Sequence, residues 1–235
     1  MLATFINVIL VLAGSAVGLL FQNLISQRLT AILTQALGLC VLGVGIGNLI
    51  GTQDMLCVIV CMALGAALGN ALDIERRLEG AGDLLRAKIS RGEDGGRFTE
   101  GFVNASLLFC VGAMAITGSI EAGLNHNYEI IVSKGVIDGV TSISFAATMG
   151  IGTAFSAIPL LIYQGGITLL AGWLGPYLPE AVITEMTAAG GALIIGIAVN
   201  MLGLGRERIK VGNMLPAMFL PIAYLPLAQW LAGVF

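Results

Sequence analysis

Apolar runs of about twenty residues, almost free of charge, recur along this chain, and no other feature constrains its fold as strongly. Wound as a helix, a run of that length spans the roughly 30 Å hydrocarbon layer of a bilayer. A helix also satisfies its own backbone N–H and C=O groups where there is no water to do so. The runs are about Ala3–Gln22, Ala31–Gly51, Met55–Leu72, Phe102–Ile120, Val136–Leu174, Ala181–Gly203 and Met214–Phe235. Hydrophobic residues make up 57% of the chain and charged ones only 11%, which argues against a soluble globular domain. Glycines four apart, as at Gly14/Gly18, Gly43/Gly47/Gly51 and Gly65/Gly69, mark faces where helix backbones can approach closely.

Val136–Leu174 is roughly forty residues long with Asp138 as its only charge, so it holds two crossings with a break near Met149–Gly152. That makes about eight transmembrane helices, an all-α polytopic membrane protein. Lys and Arg concentrate in short loops on the cytoplasmic side. Here they lie at Arg28, in Asp73–Glu100 and in Arg206–Lys210. With eight crossings all three loops share one side, the cytoplasm, and both termini lie outside. With a single crossing at Val136–Leu174, the Arg206–Lys210 loop would be stranded outside. The first run has no Lys or Arg before it and no evident cleavage site, so it reads as an anchor. Pro216, Pro221 and Pro226 predict a kinked last segment. Asp73–Glu100 reads either as a surface amphipathic helix with Leu78, Leu85 and Ile89 on one face, or as a solvated linker, and Gly92–Arg97 as a turn.

The chain also echoes itself. Gly38–Gly51 returns as Gly190–Gly203 at an offset of 152, with Asn48 on Asn200. Gly14 falls on Gly166 at the same offset, and Asp54-Met55-Leu56 meets Asn213-Met214-Leu215 after a seven-residue slip. The expected architecture is an inverted three-helix repeat, 3–72 and 152–235, around a central helix pair at 101–150, with 73–100 as a cytoplasmic loop. Inverted repeats recur in secondary transporters.

The runs Phe109–Ile120 (FCVGAMAITGSI), Lys134–Ala147 (KGVIDGVTSISFA) and Gly150–Gly166 (GIG…SAIPLLIYQGG) resemble one bacterial inner-membrane family, domain of unknown function 554. Its members are often labelled transport proteins. The resemblance covers essentially the whole chain. It implies a multi-spanning protein of the bacterial inner membrane, and it supplies no catalytic residue, substrate or cofactor.

Charged and polar residues inside spans are costly, so they are the candidates for a substrate or ion pathway. Lys134 and Asp138 are one helical turn apart, and Glu121 lies across the hairpin from them. They read as a solute, cation or proton site, or as an interfacial ion pair locking that hairpin. Asn48 and Asn200 hold matching places in the two repeats, as pathway contacts or as interhelical hydrogen bonds and caps. Asn104 and Gln164 lie within spans, and Gln164 precedes Gly165-Gly166, a place where a helix can unwind or kink. Glu185 sits one turn into its helix, where the dipole favours a carboxylate. Within the central insert, Thr141, Ser142 and Ser144 add a hydroxyl cluster.

A net charge of −3 argues against a nucleic-acid partner. Cys40, Cys57, Cys61 and Cys110 sit in apolar runs as small hydrophobes, with no partnering ligand set for a metal, and His126 is alone in a loop. No Walker loop, H-E-x-x-H or G-x-S-x-G occurs, so neither an ATP-driven pump nor an enzyme is expected, and no cofactor. The expectation is a secondary transporter or channel-like permease for a small solute or ion, or else a non-transporting scaffold or sensor. The glycine faces allow a homodimer.

Overall fold

A computed structural model describes residues 1–22, 26–89 and 95–232, which are helical throughout apart from short connections. The helices are α1 (Leu2–Gln22), α2 (Gln27–Ile50), α3 (Met55–Leu72), α4 (Ile74–Ile89), α5 (Gly95–Cys110), α6 (Ala113–Leu124), α7 (Glu129–Met149), α8 (Gly152–Phe155), α9 (Ala157–Leu169), α10 (Ala171–Leu174), α11 (Glu180–Leu202) and α12 (Pro221–Ala232). Two 3-10 segments, Gly175–Tyr177 and Val211–Met218, complete the path.

Local chemistry sets the ends. Ser26 accepts from Leu29 N at the start of α2, and Asp54 accepts from Cys57 N at the start of α3. α11 follows Pro179 and stops at Gly203, whose φ of 65° is the left-handed stop that glycine supplies without strain.

Among the described residues, five helices are long and apolar enough to cross a bilayer: α1, α2, α3, α7 and α11. Three bent pairs raise the number to eight if each is one span. The pairs are 97–110 with 114–124 (60°), 152–169 with 171–177 (66°), and 211–218 with 221–231 (46°). The last of these bends carries the prolines that predicted a kink. The break between α7 and α8 falls at Gly150, as its sequence indicated, with φ at 82°. Gly165-Gly166 stays helical within α9, and the bend comes at Leu170 instead. The break between α5 and α6 is new: Val111-Gly112 interrupts a run that reads as continuous, with Gly112 at φ 123°.

Neighbouring residues fix the relative directions. α1 runs parallel to α7: Asn7 lies beside Gly135, and Gly18 beside Ile143. The approach is backbone to backbone, since a Cβ on Gly14 would stand 2.1 Å from Gly139 O. α2 runs antiparallel to α11, with Gly38 beside Leu202 and Gly45 beside Gly191. α3 runs antiparallel to the Val211–Met218 segment, where a Cβ on Gly69 would stand 1.9 Å from Asn213 O. The broken pair α5–α6 runs alongside α8–α10 in the same sense, with Gly152 beside Phe98 and Gly123 beside Thr168. These directions match the alternation of a chain that crosses eight times.

The outside of the bundle is apolar: Ile9, Leu39, Ile50, Ile59, Ile162 and Trp230 are all exposed. Its interior combines a hydrophobic core around Phe102, Phe109, Phe145, Leu160, Leu193 and Ile197 with buried polar groups. α4 is the helix expected in the charged loop; the side chains of Leu78, Leu85, Ile89, Arg86 and Lys88 lie outside the described residues, as do residues 92–94 of the expected turn, whereas its last three, Gly95, Gly96 and Arg97, begin α5 instead. Thr99 donates to Asp83 at 2.9 Å and ties α4 to α5.

Candidate functional site

Residues 131, 134, 135, 138, 139, 142 and 145 recur every three or four along α7 and form its buried face. Most are small or apolar. Lys134 and Asp138 are the exceptions, and each is only 6% exposed. A spacing of four stacks them on one side of the helix, and they form an ion pair. Lys134 also donates to Phe109 O at 2.7 Å. That carbonyl belongs to the last turn of α5, where a helix leaves acceptors without intrahelical donors and favours a cation. The break at Val111-Gly112 thus gives Lys134 its second partner.

Asp138 has a second donor as well. Asn7 Nδ2 on α1 lies 3.1 Å from Asp138 Oδ2 and 3.0 Å from Gln164 Oε1 on α9. Asn7 and Gln164 are fully buried. Three spans therefore meet in one chain of polar groups, Lys134–Asp138–Asn7–Gln164. Among the described residues, Asn7 Oδ1 and Gln164 Nε2 have no hydrogen-bond partner. Ser142, one turn beyond Asp138, donates to Val11 O at 3.1 Å and to Gly139 O.

On the other side the ion pair faces a cleft of about 560 Å³ between α2, the α5–α6 break and α7. Its walls are largely apolar, with Val41, Val44, Ile137 and Phe145 among them, and its polar lining comes from Lys134, Asp138, Asn48, Thr141 and Ser144. A mostly apolar cavity with a few placed polar groups is the usual form of a small-molecule site.

Glu121, Asn200 and Asn104 make no hydrogen bond to this group among the described residues. Glu121 accepts from Asn125 Nδ2 at 3.0 Å on its own helix end. Asn200 is engaged by its own loop, donating to Ile209 O and accepting from Ile209 N, both at 2.8 Å. Asn48 borders the cleft, whereas its repeat counterpart Asn200 borders a small pocket at the Arg206–Arg208 loop. Asn104 is buried on α5 with Nδ2 unpartnered. Gln164 joins the cluster only through Asn7, which sequence reasoning missed. An asparagine in a run otherwise free of strong polar groups was the available signal.

Two further carboxylates are buried. Glu185 accepts from Thr52 Oγ1, Gln53 N and Asp54 N, so it holds the turn between α2 and α3. Glu75, at the start of α4, accepts from Gly212 N while its own N–H donates to Asn213 Oδ1. Burial pushes the Glu75 carboxyl above the usual carboxylate range, and the Gly212 N–H and the Arg208 charge oppose that rise. Among the described residues, no group of three or more His, Cys, Asp or Glu could hold a metal ion.

Comparison with known proteins extends the picture. Residues 2–225 match the family model described as a protein of unknown function, DUF554. The chain is 33% identical over 225 residues to an uncharacterized membrane protein, YdfK, of Bacillus subtilis (strain 168), with 94% of each chain covered. It is 28% identical over 233 residues to an uncharacterized protein, YqgA, of Escherichia coli (strain K12), with 97% of each covered. No solved structure matches. With the family model spanning nearly every helix just described, and a membrane protein among its full-length relatives, the chain belongs to the DUF554 family.

Proposed function

We propose that this protein is a secondary transporter or channel-like permease of the bacterial cytoplasmic membrane, moving a small solute or ion along a path that passes the Lys134–Asp138 pair. The observation that carries this reading is the placement of that buried pair on the wall of a cleft of about 560 Å³, beside a broken helix. A lysine and an aspartate at that depth cost several kcal/mol unless paired. A scaffold could fill the same space with apolar side chains. Broken helices beside a charged pair are a recurring way to expose backbone groups to a transported species.

The inverted repeat supports the same reading. α2 and α11 are the two copies of one segment, and they pack antiparallel. An inverted repeat with a two-fold axis in the membrane plane places its two copies antiparallel, which is how these two helices pack. In this orientation Arg28 and the Arg206–Lys210 loop face the cytoplasm and both termini face outside.

The test is flux. Purified protein in proteoliposomes is screened against labelled ions and small metabolites, with Asp138→Asn as the control. Flux in the wild type that is lost in a folded Asp138→Asn protein is the expected result. Undiminished flux in Asp138→Asn places the path elsewhere, and no flux for any solute favours the scaffold or sensor reading.

A further inference from the structure

The unpartnered atoms of the polar chain fall into a pattern. Asn7 Nδ2 donates outward in two directions, to Asp138 and to Gln164, while Asn7 Oδ1 and Gln164 Nε2 are idle. A side-chain amide turned by half a revolution exchanges its oxygen and nitrogen in place. If both amides turn, Asn7 Oδ1 occupies the position between Asp138 and Gln164, and Gln164 Nε2 points at it. Asn7 then accepts twice, once from Gln164 Nε2 and once from a proton on Asp138. Asn7 makes two hydrogen bonds in either arrangement. The two idle atoms of one arrangement are the two working atoms of the other.

We infer that Asp138 is a proton-binding site whose loading reverses the hydrogen bonds of Asn7 and Gln164 and releases Lys134 to hold a small organic anion in the cleft. This rests on the transport reading and names its coupling ion and its substrate class. The charges balance: Lys134⁺ with Asp138⁻ becomes Lys134⁺ with the anion, and the carboxylate displaced from Lys134 takes one proton from water. No net charge is added to the buried site, so neither state strands an ion in a dry interior. The anion is one with a short apolar body, because Val41, Val44, Ile137 and Phe145 line the space beside Lys134.

The groups around Asp138 leave it the natural proton acceptor. On α7 itself the neighbour is Lys134. α1 carries no ionisable side chain. α2 brings Cys40 to the cleft, α5 brings Cys110 near the pair, and Tyr163 of α9 lies near Cys110. The one carboxylate of α6, Glu121, is bound to Asn125. Among the described residues, no other carboxylate lines the cleft.

The test uses the purified protein in lipid nanodiscs. Infrared difference spectra across a pH titration should show a protonated-carboxyl band that Asp138→Asn lacks. Side-chain amide bands should shift with the same midpoint. In Asn7→Ala that amide shift should be lost and the carboxyl midpoint displaced. Pentanoate, added in weak buffer, should drive proton uptake equal to the pentanoate bound. A carboxyl band that persists in Asp138→Asn, amide bands that stay fixed while the carboxyl titrates, or failure of pentanoate to drive proton uptake overturns the proposal. None of these readouts needs flux. Proton-linked pentanoate binding without flux of any solute ends the transport reading and keeps the switch, whereas flux without these signals does the reverse.

Discussion

The carboxylate of Glu185, on α11, receives the hydroxyl of Thr52 at 2.6 Å, across 133 residues of sequence. The same carboxylate takes the backbone N–H groups of Gln53 and Asp54, at 2.8 and 3.1 Å. α11 thus holds the turn between α2 and α3. Glu185→Ala leaves the Thr52 hydroxyl and the Gln53 N–H without that acceptor, while Asp54 N–H keeps Thr52 Oγ1, at about 1–3 kcal/mol for each group left buried. Thermal unfolding in detergent should show a clear loss for Glu185→Ala and a smaller one for Glu185→Gln, whose carbonyl still accepts. Equal melting of Glu185→Ala and wild type would contradict this arrangement.

Removing one member of the Lys134–Asp138 pair should do unequal damage. Lys134→Ala strands a buried carboxylate and frees Phe109 O, and breaking such a pair costs about 3–5 kcal/mol. Asp138→Asn keeps a polar group for both Lys134 and Asn7 and should fold nearly as well as wild type. The double variant Lys134→Ala/Asp138→Ala should recover part of the loss, a coupling that a double-mutant cycle measures. Additive losses would show that the two side chains do not interact.

Glu75 carries a pH dependence with a definite sign. Its carboxyl is raised above 4.5 in the folded chain by burial. The folded state therefore holds that proton more tightly than the unfolded chain. The contribution is fully present below about 4.5 and is lost as pH rises from there through the raised folded value. Unfolding of wild type and Glu75→Gln across a pH series should show the wild type losing ground relative to the variant over that window. A difference that is flat with pH, or that grows in favour of the wild type, would refute it.

Glycines divide by what faces them. A Cβ at Gly14 or Gly69 meets a backbone oxygen at 2.1 or 1.9 Å, whereas one at Gly43 or Gly47 meets nothing within 4 Å. Gly14→Ala and Gly69→Ala should reduce folded protein in the membrane severely, because the neighbour is backbone and has nowhere to go. Gly47→Leu should leave the protomer folded. The same variant, run on native gels, tests whether the open glycine face of α2 joins two copies, since a bulky side chain there would separate them.

Orientation is checked by labelling. Single cysteines replacing Tyr128 and Arg208, in a background without the native cysteines, should react with an impermeant maleimide in intact cells at 128 and not at 208. Reaction at 208 from outside would end the eight-crossing arrangement.

The spans were legible because hydrocarbon demands a long uncharged helix, and the demand is written in composition. The Lys134–Asp138 pair was legible because a spacing of four stacks two side chains. Other features were not. Val111-Gly112 looks like the middle of a span, since one glycine there is as common as one that packs; only the positive φ it adopts separates the two. Glu75 sits among the charges of a polar loop, and its burial depends on where the last span begins, which periodicity does not encode. Asn200 was matched to Asn48 by the repeat, but the Arg206–Lys210 loop folds back to occupy it. Sequence symmetry does not extend to the loops that break it.

The backbone contact between α1 and α7 bears on how the protein is made. The Gly139 on which Gly14 rests leaves the ribosome more than a hundred residues after it. At ~5–20 residues per second, that interval is on the order of ten seconds. Throughout it Asn7 lacks both of its eventual side-chain partners, Asp138 and Gln164. The newborn chain must shelter that asparagine by some other means, a neighbouring span or an insertion factor, until α7 arrives with Asp138.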